Sequence, residues 1–210
     1  MRFFLARHGE TEWNRAGRMQ GRHGGKLTDK GIAQAHALGG AARRLGVARV
    51  VTSALDRAVE TARIVADAAG CPLLACDALV ETDFGACAGL TEAEIAARFP
   101  DLRAERERDK WRHRWPGGES YADMAERVWQ AGPLIREADA LVVAHQSMNR
   151  VLAHVFAPAA VADVLRMAQP SDVLLRLDGS GAAAHAQVPG SGDALAWQDG
   201  LYFGGAVRLN

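Results

Sequence analysis

The sequence predicts an α/β domain with a largely parallel sheet. Short apolar runs at 3–6, 49–52 and 141–144 each stop at polar residues, helical periodicities lie between them, and 49% of the 210 residues are apolar, enough for a sizeable core. Residues 3–6 form a strand that feeds Arg7-His8-Gly9. Ile32, Ala35, Leu38, Ala42 and Leu45 recur at helical spacing, with Thr28 or Asp29 as cap and Gly46 as stop. After the strand at 49–52, Ser53 is the expected cap of a helix lined by Leu55, Val59, Ala62, Val65 or Ala66, and Ala69; Gly70 and Pro72 stop it, and Arg57 falls in its first turn.

A Gly-rich turn follows at 84–89, then a helix over 91–99 with Thr91 and Glu94 as its capping box. Residues 101–115 mix arginines and Lys110 with acids, a pattern of a solvated helix with i,i+4 ion pairs; the alternative is a lid whose Arg side chains bind a carboxylate or second phosphate on a substrate. Another helix begins after Pro116-Gly117-Gly118, and Gly132-Pro133 should kink or end it. The strand at 141–144 ends at His145, a helix spans about 148–156, and 172–177 reads as a later strand.

Lys plus Arg and Asp plus Glu are both 25, so no bulk field draws the chain to nucleic acid or an anionic membrane. Any anion specificity is local, and Arg, which supplies all cations except Lys26, Lys30 and Lys110, has the planar fork for it. Cys71, Cys76 and Cys87 suit neither a disulfide framework nor a thiolate metal site. His23, His36, His113, His154 and His185 lack ligand spacing, so no metal site is expected. Without an apolar leader or a long apolar window, the expected location is cytoplasmic. No repeat or linker divides residues 1–210, which read as one domain. Trp197, Leu201, Tyr202 and Phe203 suit either a core edge or a homodimer contact.

In parallel sheets ligands bind at the carboxyl ends of strands. Arg7 with His8, Arg57, and His145 all fall there, so guanidinium and imidazole groups crowd one crevice, and a phosphoryl group is the anion whose oxygens best match two Arg forks. A histidine between two cations stays neutral and keeps a ring nitrogen as nucleophile. Attack at phosphorus gives a phosphohistidine, and a carboxylic acid would then protonate the leaving alkoxide and deprotonate the incoming water.

The blocks Leu5-Ala6-Arg7-His8-Gly9-Glu10-Thr11-Glu12-Trp13-Asn14 and Gly17-Arg18-Met19-Gln20-Gly21 resemble the signature of the histidine phosphatase superfamily, the phosphoglycerate mutase-like proteins. Leu27-Thr28, Thr52-Ser53 with Arg57-Ala58 and Glu60-Thr61-Ala62, Glu81 with Phe84-Gly85, Pro116-Gly117-Gly118-Glu119-Ser120, and Val142-Val143-Ala144-His145 follow in the same order. The resemblance implies a three-layer sandwich, a helical lid at about 90–130 and a metal- and cofactor-independent phosphatase acting on a small phosphorylated metabolite. It makes His8 the phosphorylated nucleophile, Arg7, Arg57 and His145 the phosphate clamp, and Glu81 the proton donor and acceptor. Asn14 and Gln20 match positions that also reach the phosphoryl oxygens.

The chain departs from the pattern at Gln146, where many relatives have Gly, which adds a side-chain amide to the substrate site. It departs again at Arg22-His23-Gly24 with Gly25-Lys26, and at Cys87-Ala88-Gly89. A cofactor-dependent phosphoglycerate mutase and a non-catalytic phospho-ligand binding module are the rival readings; Gln20 and the absence of a long inserted helical segment favour hydrolysis, and Glu81 favours turnover.

Overall fold

The computed structural model describes residues 2–136, 139–190 and 193–204. Strands β1 (Arg2–Arg7), β2 (Arg49–Ser53), β3 (Leu73–Cys76), β4 (Ala140–Ala144), β5 (Val173–Asp178), β6 (Ala183–Gln187) and β7 (Gln198–Asp199) join in one sheet, ordered β3-β2-β4-β1-β5-β6-β7. The helices are α1 (Glu12–Arg15), α2 (Asp29–Leu45), α3 (Asp56–Ala69), α4 (Glu92–Arg98), α5 (Leu102–Arg108), α6 (Tyr121–Val128), α7 (Gly132–Arg136), α8 (Gln146–Phe156) and α9 (Val161–Arg166).

The half β3-β2-β4-β1 is parallel. From β1 onward each neighbour is antiparallel, because the four residues between β5 and β6 are too few for a parallel crossover. β3 and β6 carry no continuous buried run, which is why apolar patterning does not reveal them.

Side chains of β1 alternate between two cores. Phe3 and Leu5 pack with Val142, Met148 and Leu152 on the face covered by α6 to α8, while Phe4 and Ala6 pack with Leu38, Val65 and Val143 on the face covered by α2 and α3. The result is three layers.

Thr28 caps α2, and Gly46 and Gly70 end α2 and α3 in the left-handed conformation, with φ 63° and 68°. Ser53 is not the cap of α3. Leu55 holds that position without a side-chain hydrogen bond, and the Ser53 hydroxyl serves the site. The 101–115 stretch is helical only over α5, and its cations divide by partner: Arg103 pairs with Glu107, whereas Arg106 and Lys110, which line the same cavity, have no carboxylate partner among the described residues. α6 ends at Val128, before Gly132-Pro133; a 3-10 turn at 129–131 follows, and that pair opens α7.

Trp197 lies 6.2 Å from Phe4, and Leu201 and Tyr202 pack on the first core; Phe203 is 43% exposed under the Arg166 guanidinium. No helix among the described residues is long and apolar enough to cross a membrane.

The loop after β1 is pressed onto the start of α2. A Cβ on Gly31 would lie 2.1 Å from the Glu10 carbonyl oxygen, and one on Gly9 would lie 2.3 Å from the Gly31 oxygen. Gly31→Ala should therefore cost about 1–3 kcal/mol by overpacking. Thermal unfolding followed by circular dichroism should show Tm falling by about 2–4 °C per kcal/mol; an unchanged Tm would contradict this packing.

Candidate active site

Sheet order brings the chemistry together. β4 lies between β1 and β2, and all three point their carboxyl ends the same way, so His8, His145 and Ser53 leave adjacent strands side by side. The His8 amide continues the ladder, donating to the Ala144 carbonyl at 3.0 Å, and the His8 carbonyl accepts from the Ser171 hydroxyl at 2.7 Å. The His8 and His145 rings stand 5.2 Å apart.

Hydrogen bonds fix both tautomers. The Gly9 carbonyl 2.8 Å from His8 Nδ1 can only accept, so Nδ1 carries the proton and Nε2 keeps its lone pair. Arg57 Nε donates to that Nε2 at 3.2 Å. Arg57 Nη2 stands 3.2 Å from His145 Nδ1 and, as a donor, leaves the His145 proton on Nε2, which donates to Ser53 Oγ at 2.8 Å. Arg57 also donates to the carbonyls of His23 (2.5 Å) and Gly21 (2.6 Å), tying the 20–24 loop to the site. Thr61 joins the strand-end loop to α3 by accepting from the Gly9 amide at 3.1 Å and donating to the Arg57 carbonyl at 2.7 Å.

Burial holds the His8 pKa well below its ordinary 6.5, reinforced by Arg7 and then Arg57. Burial does the same for His145, followed by Arg57, His8 and Arg7. Burial also pulls Arg57 down to about 10 against the opposing pull of Glu81. Arg7 Nη1 reaches Gln146 Oε1 at 3.4 Å, and its buried Nε has no partner. Glu81 Oε1 accepts from the Thr82 amide at 2.9 Å and Oε2 from the Ser147 amide at 3.3 Å, at the start of α8. The arrangement is a neutral imidazole with a ring nitrogen lone pair, two guanidinium groups of which one has an unpartnered donor, and one carboxyl group, chemically suited to receiving a phosphoryl group.

A cavity of about 910 Å³ opens onto this cluster. Arg7, His8, Asn14, Gln20, Arg57, Glu81 and Gln146 line it. His145 does not; it is fully buried behind His8. Thr11 engages the amide oxygens of Asn14 and Gln20, so the NH₂ end of each is the end suited to an anion. Sequence reasoning missed Ser53 as the partner of His145, Ser147 as a donor to Glu81, and Arg150, which lines the same cavity one helical turn after Gln146. That i,i+4 spacing in α8 was the available signal.

A profile of the histidine phosphatase superfamily (branch 1) matches residues 3–187. The chain belongs to this superfamily. Among its relatives, 6-phosphofructo-2-kinase/fructose-2,6-bisphosphatase 1 of Rattus norvegicus is 35% identical over 180 residues, 83% of this chain and 36% of that one. An uncharacterized protein of Mycobacterium bovis is 40% identical over 164 residues, 72% of this chain and 43% of its own. The chain thus spans less than half the length of either. Among solved structures, a mycobacterial glucosyl-3-phosphoglycerate phosphatase in complex with VO3 superposes with TM-score 0.77 at 24% identity, covering 97% of this chain and 99% of that one. Bacillus stearothermophilus YhfR superposes with TM-score 0.71 at 26% identity, covering 95% of each.

The imidazoles have a stability consequence. Their folded pKa values lie below the unfolded value of 6.5, so between the two the unfolded chain binds protons that the folded chain refuses. Their contribution is fully present above 6.5 and is lost as pH falls below it. Urea midpoints should therefore drop between about pH 7 and about pH 5, and His8→Asn should make that drop shallower. An identical slope in the variant would mean that His8 titrates normally.

Proposed function

We propose that this enzyme hydrolyses a small phosphomonoester through a phosphohistidine on His8, and that its substrate carries a second anionic group. The carrying observation is a buried neutral imidazole beside two guanidinium groups, one with an unpartnered Nε. Such a socket lacks only an anion. Charge neutralisation falls to Arg7 and Arg57; among the described residues no group of three His, Cys, Asp or Glu is placed to hold a metal ion.

In the first step the His8 Nε2 lone pair forms a bond to phosphorus, the ester P–O bond breaks, and the leaving oxygen takes the proton of the Glu81 carboxylic acid. In the second, the Glu81 carboxylate takes a proton from water, the oxygen attacks phosphorus, and the P–N bond breaks to release inorganic phosphate and neutral His8. Arg7 and Arg57 hold the phosphoryl oxygens, with the amides of Asn14, Gln20 and Gln146 beside them. His145, buried behind His8 with its Nδ1 against Arg57 Nη2, orients that guanidinium for the phosphoryl oxygens.

The second anion rests on Arg106, Lys110 and Arg150, which line the same cavity. Among the described residues, their partners include no carboxylate. Arg106 stacks over Trp115 at 4.4 Å, Lys110 donates to the Leu165 carbonyl at 3.3 Å, and Arg150 donates to the Met167 carbonyl and the Tyr121 hydroxyl. Burial lowers Lys110 to about 8, with Arg150 and Arg106 adding to the effect. Glu107, on the same wall, is taken by Arg103. The name of the rat relative includes a bisphosphatase, which accords with a substrate of two anions.

Turnover of p-nitrophenyl phosphate should persist in EDTA and vanish in His8→Ala; an active variant would overturn the nucleophile. Lys110→Gln should lower kcat/KM for a sugar bisphosphate or a phosphoglycerate by about 10- to 100-fold, the worth of one charge-assisted hydrogen bond. It should leave p-nitrophenyl phosphate, which has no second anion, within a few-fold. For the doubly anionic substrate, kcat/KM should also fall as pH rises through about 8 and Lys110 loses its charge. Equal effects on both substrates would remove the second-anion assignment.

A further inference from the structure

Glu81 sits on a stretch with no strand or α-helix of its own, between the 3-10 turn at 77–79 and the one at 85–87. Its backbone carbonyls have no ladder to satisfy them. A single guanidinium fills that role: Arg127 of α6 donates Nη1 to the Ala78 carbonyl at 2.6 Å, and Nη2 to those of Val80 at 2.7 Å and Glu81 at 3.3 Å. Arg127 is itself held by Glu119, whose Oε1 accepts from Nε at 3.1 Å and Oε2 from Nη2 at 3.2 Å. Both side chains are largely buried, 19% and 15% exposed.

Glu119 grips the far side of the same stretch. Its Oε2 accepts from the Asp83 amide at 3.1 Å, and its own amide donates to the Asp83 carbonyl at 2.8 Å. Its Oε1 also accepts from Arg22 Nη2 at 2.8 Å. Arg22 belongs to the loop whose Gly21 and His23 carbonyls are held by Arg57. A continuous chain of charge-assisted bonds thus runs from the phosphate socket through the 20–24 loop to the backbone of the proton donor.

We propose that Arg127 and Glu119 are positioning residues for the Glu81 proton transfer, and that Arg22 couples the 20–24 loop to them. The inference rests on Glu81 as the acid proposed above. Arg127 acts through the peptide backbone of Glu81, and the Thr82 and Ser147 amides then aim the carboxyl group. A guanidinium suits the task because it spreads donors over several carbonyls at once while its Nε and Nη2 edge pairs with one carboxylate. A lysine supplies a point charge without that fork.

The test is dependence on the leaving group. p-Nitrophenolate leaves without protonation, whereas the alkoxide of glycerol phosphate needs a proton as the ester bond breaks. kcat/KM for the two substrates should be measured in the wild type, Glu81→Gln, Arg127→Met, Arg127→Lys and Glu119→Gln. Glu119→Gln nearly preserves volume and decides the matter if Arg127→Met does not fold. We expect Arg127→Met and Glu119→Gln to lose about 10- to 100-fold more on glycerol phosphate than on p-nitrophenyl phosphate, with Arg127→Lys in between. Equal losses on both substrates, or no loss, would overturn the positioning role. If Glu81→Gln shows the substrate difference and these variants do not, only the present inference fails; if Glu81→Gln itself shows none, the acid assignment fails.

Discussion

The site is built on a repulsion. Two guanidinium groups are buried beside a neutral imidazole and receive only partial compensation from Glu81. Such an arrangement is costly unless the scaffold forbids relaxation. Arg57 is fixed by carbonyls at two points and by both histidines, so it cannot turn to solvent without abandoning the 20–24 loop. The fold keeps the cations together, and an incoming anion collects the energy that would otherwise push them apart.

That rigidity comes from the centre of the sheet. Parallel neighbours β2, β4 and β1 set the relative depth of Ser53, His145 and His8 through ladder register. Where β1 parts from β5, its carbonyls need other partners. Gln169 donates to the Leu5 carbonyl at 2.8 Å and Asn149 to that of Ala6 at 3.0 Å, and the two amides are joined at 2.6 Å. This buried pair completes the strand immediately before Arg7 and His8. Gly9 and Gly31 complete the support from the other side, since the approach of loop and helix leaves no room for a Cβ.

How much of this was legible in the sequence depended on the range of the interaction concerned. Apolar runs located β1, β2 and β4, and helical periodicity located α2 and α3, because each signal lies within a single segment. The strand-end positions of Arg7, His8, Arg57 and His145 followed from those elements; the choice of Glu81 among the acids came from resemblance alone. Ser53 was misread as a cap because a serine before a helix has two uses for its hydroxyl, and only the neighbouring strand shows that His145 takes it. The Arg-rich stretch could not be divided by charge pattern, since Arg103 and Arg106 line the same cavity and differ in partner, Glu107 for one and the Trp115 ring for the other. The antiparallel edge stayed hidden because β6 and β7 are short and partly exposed.

On the proposed mechanism the site also guards its own nucleophile. The Nε2 lone pair of His8 is capped by Arg57 Nε–H, and in-line attack requires that lone pair to be free. A phosphoryl oxygen is a far stronger acceptor for a guanidinium than a neutral ring nitrogen, so the anion that delivers the phosphorus also draws the cap away. The neighbouring Arg7 Nε, which has no partner among the described residues, gives that anion a second donor at no cost in broken bonds. On the proposed mechanism, binding and activation of the nucleophile are therefore one event, governed by the same two arginines that reinforce burial in keeping the imidazole unprotonated.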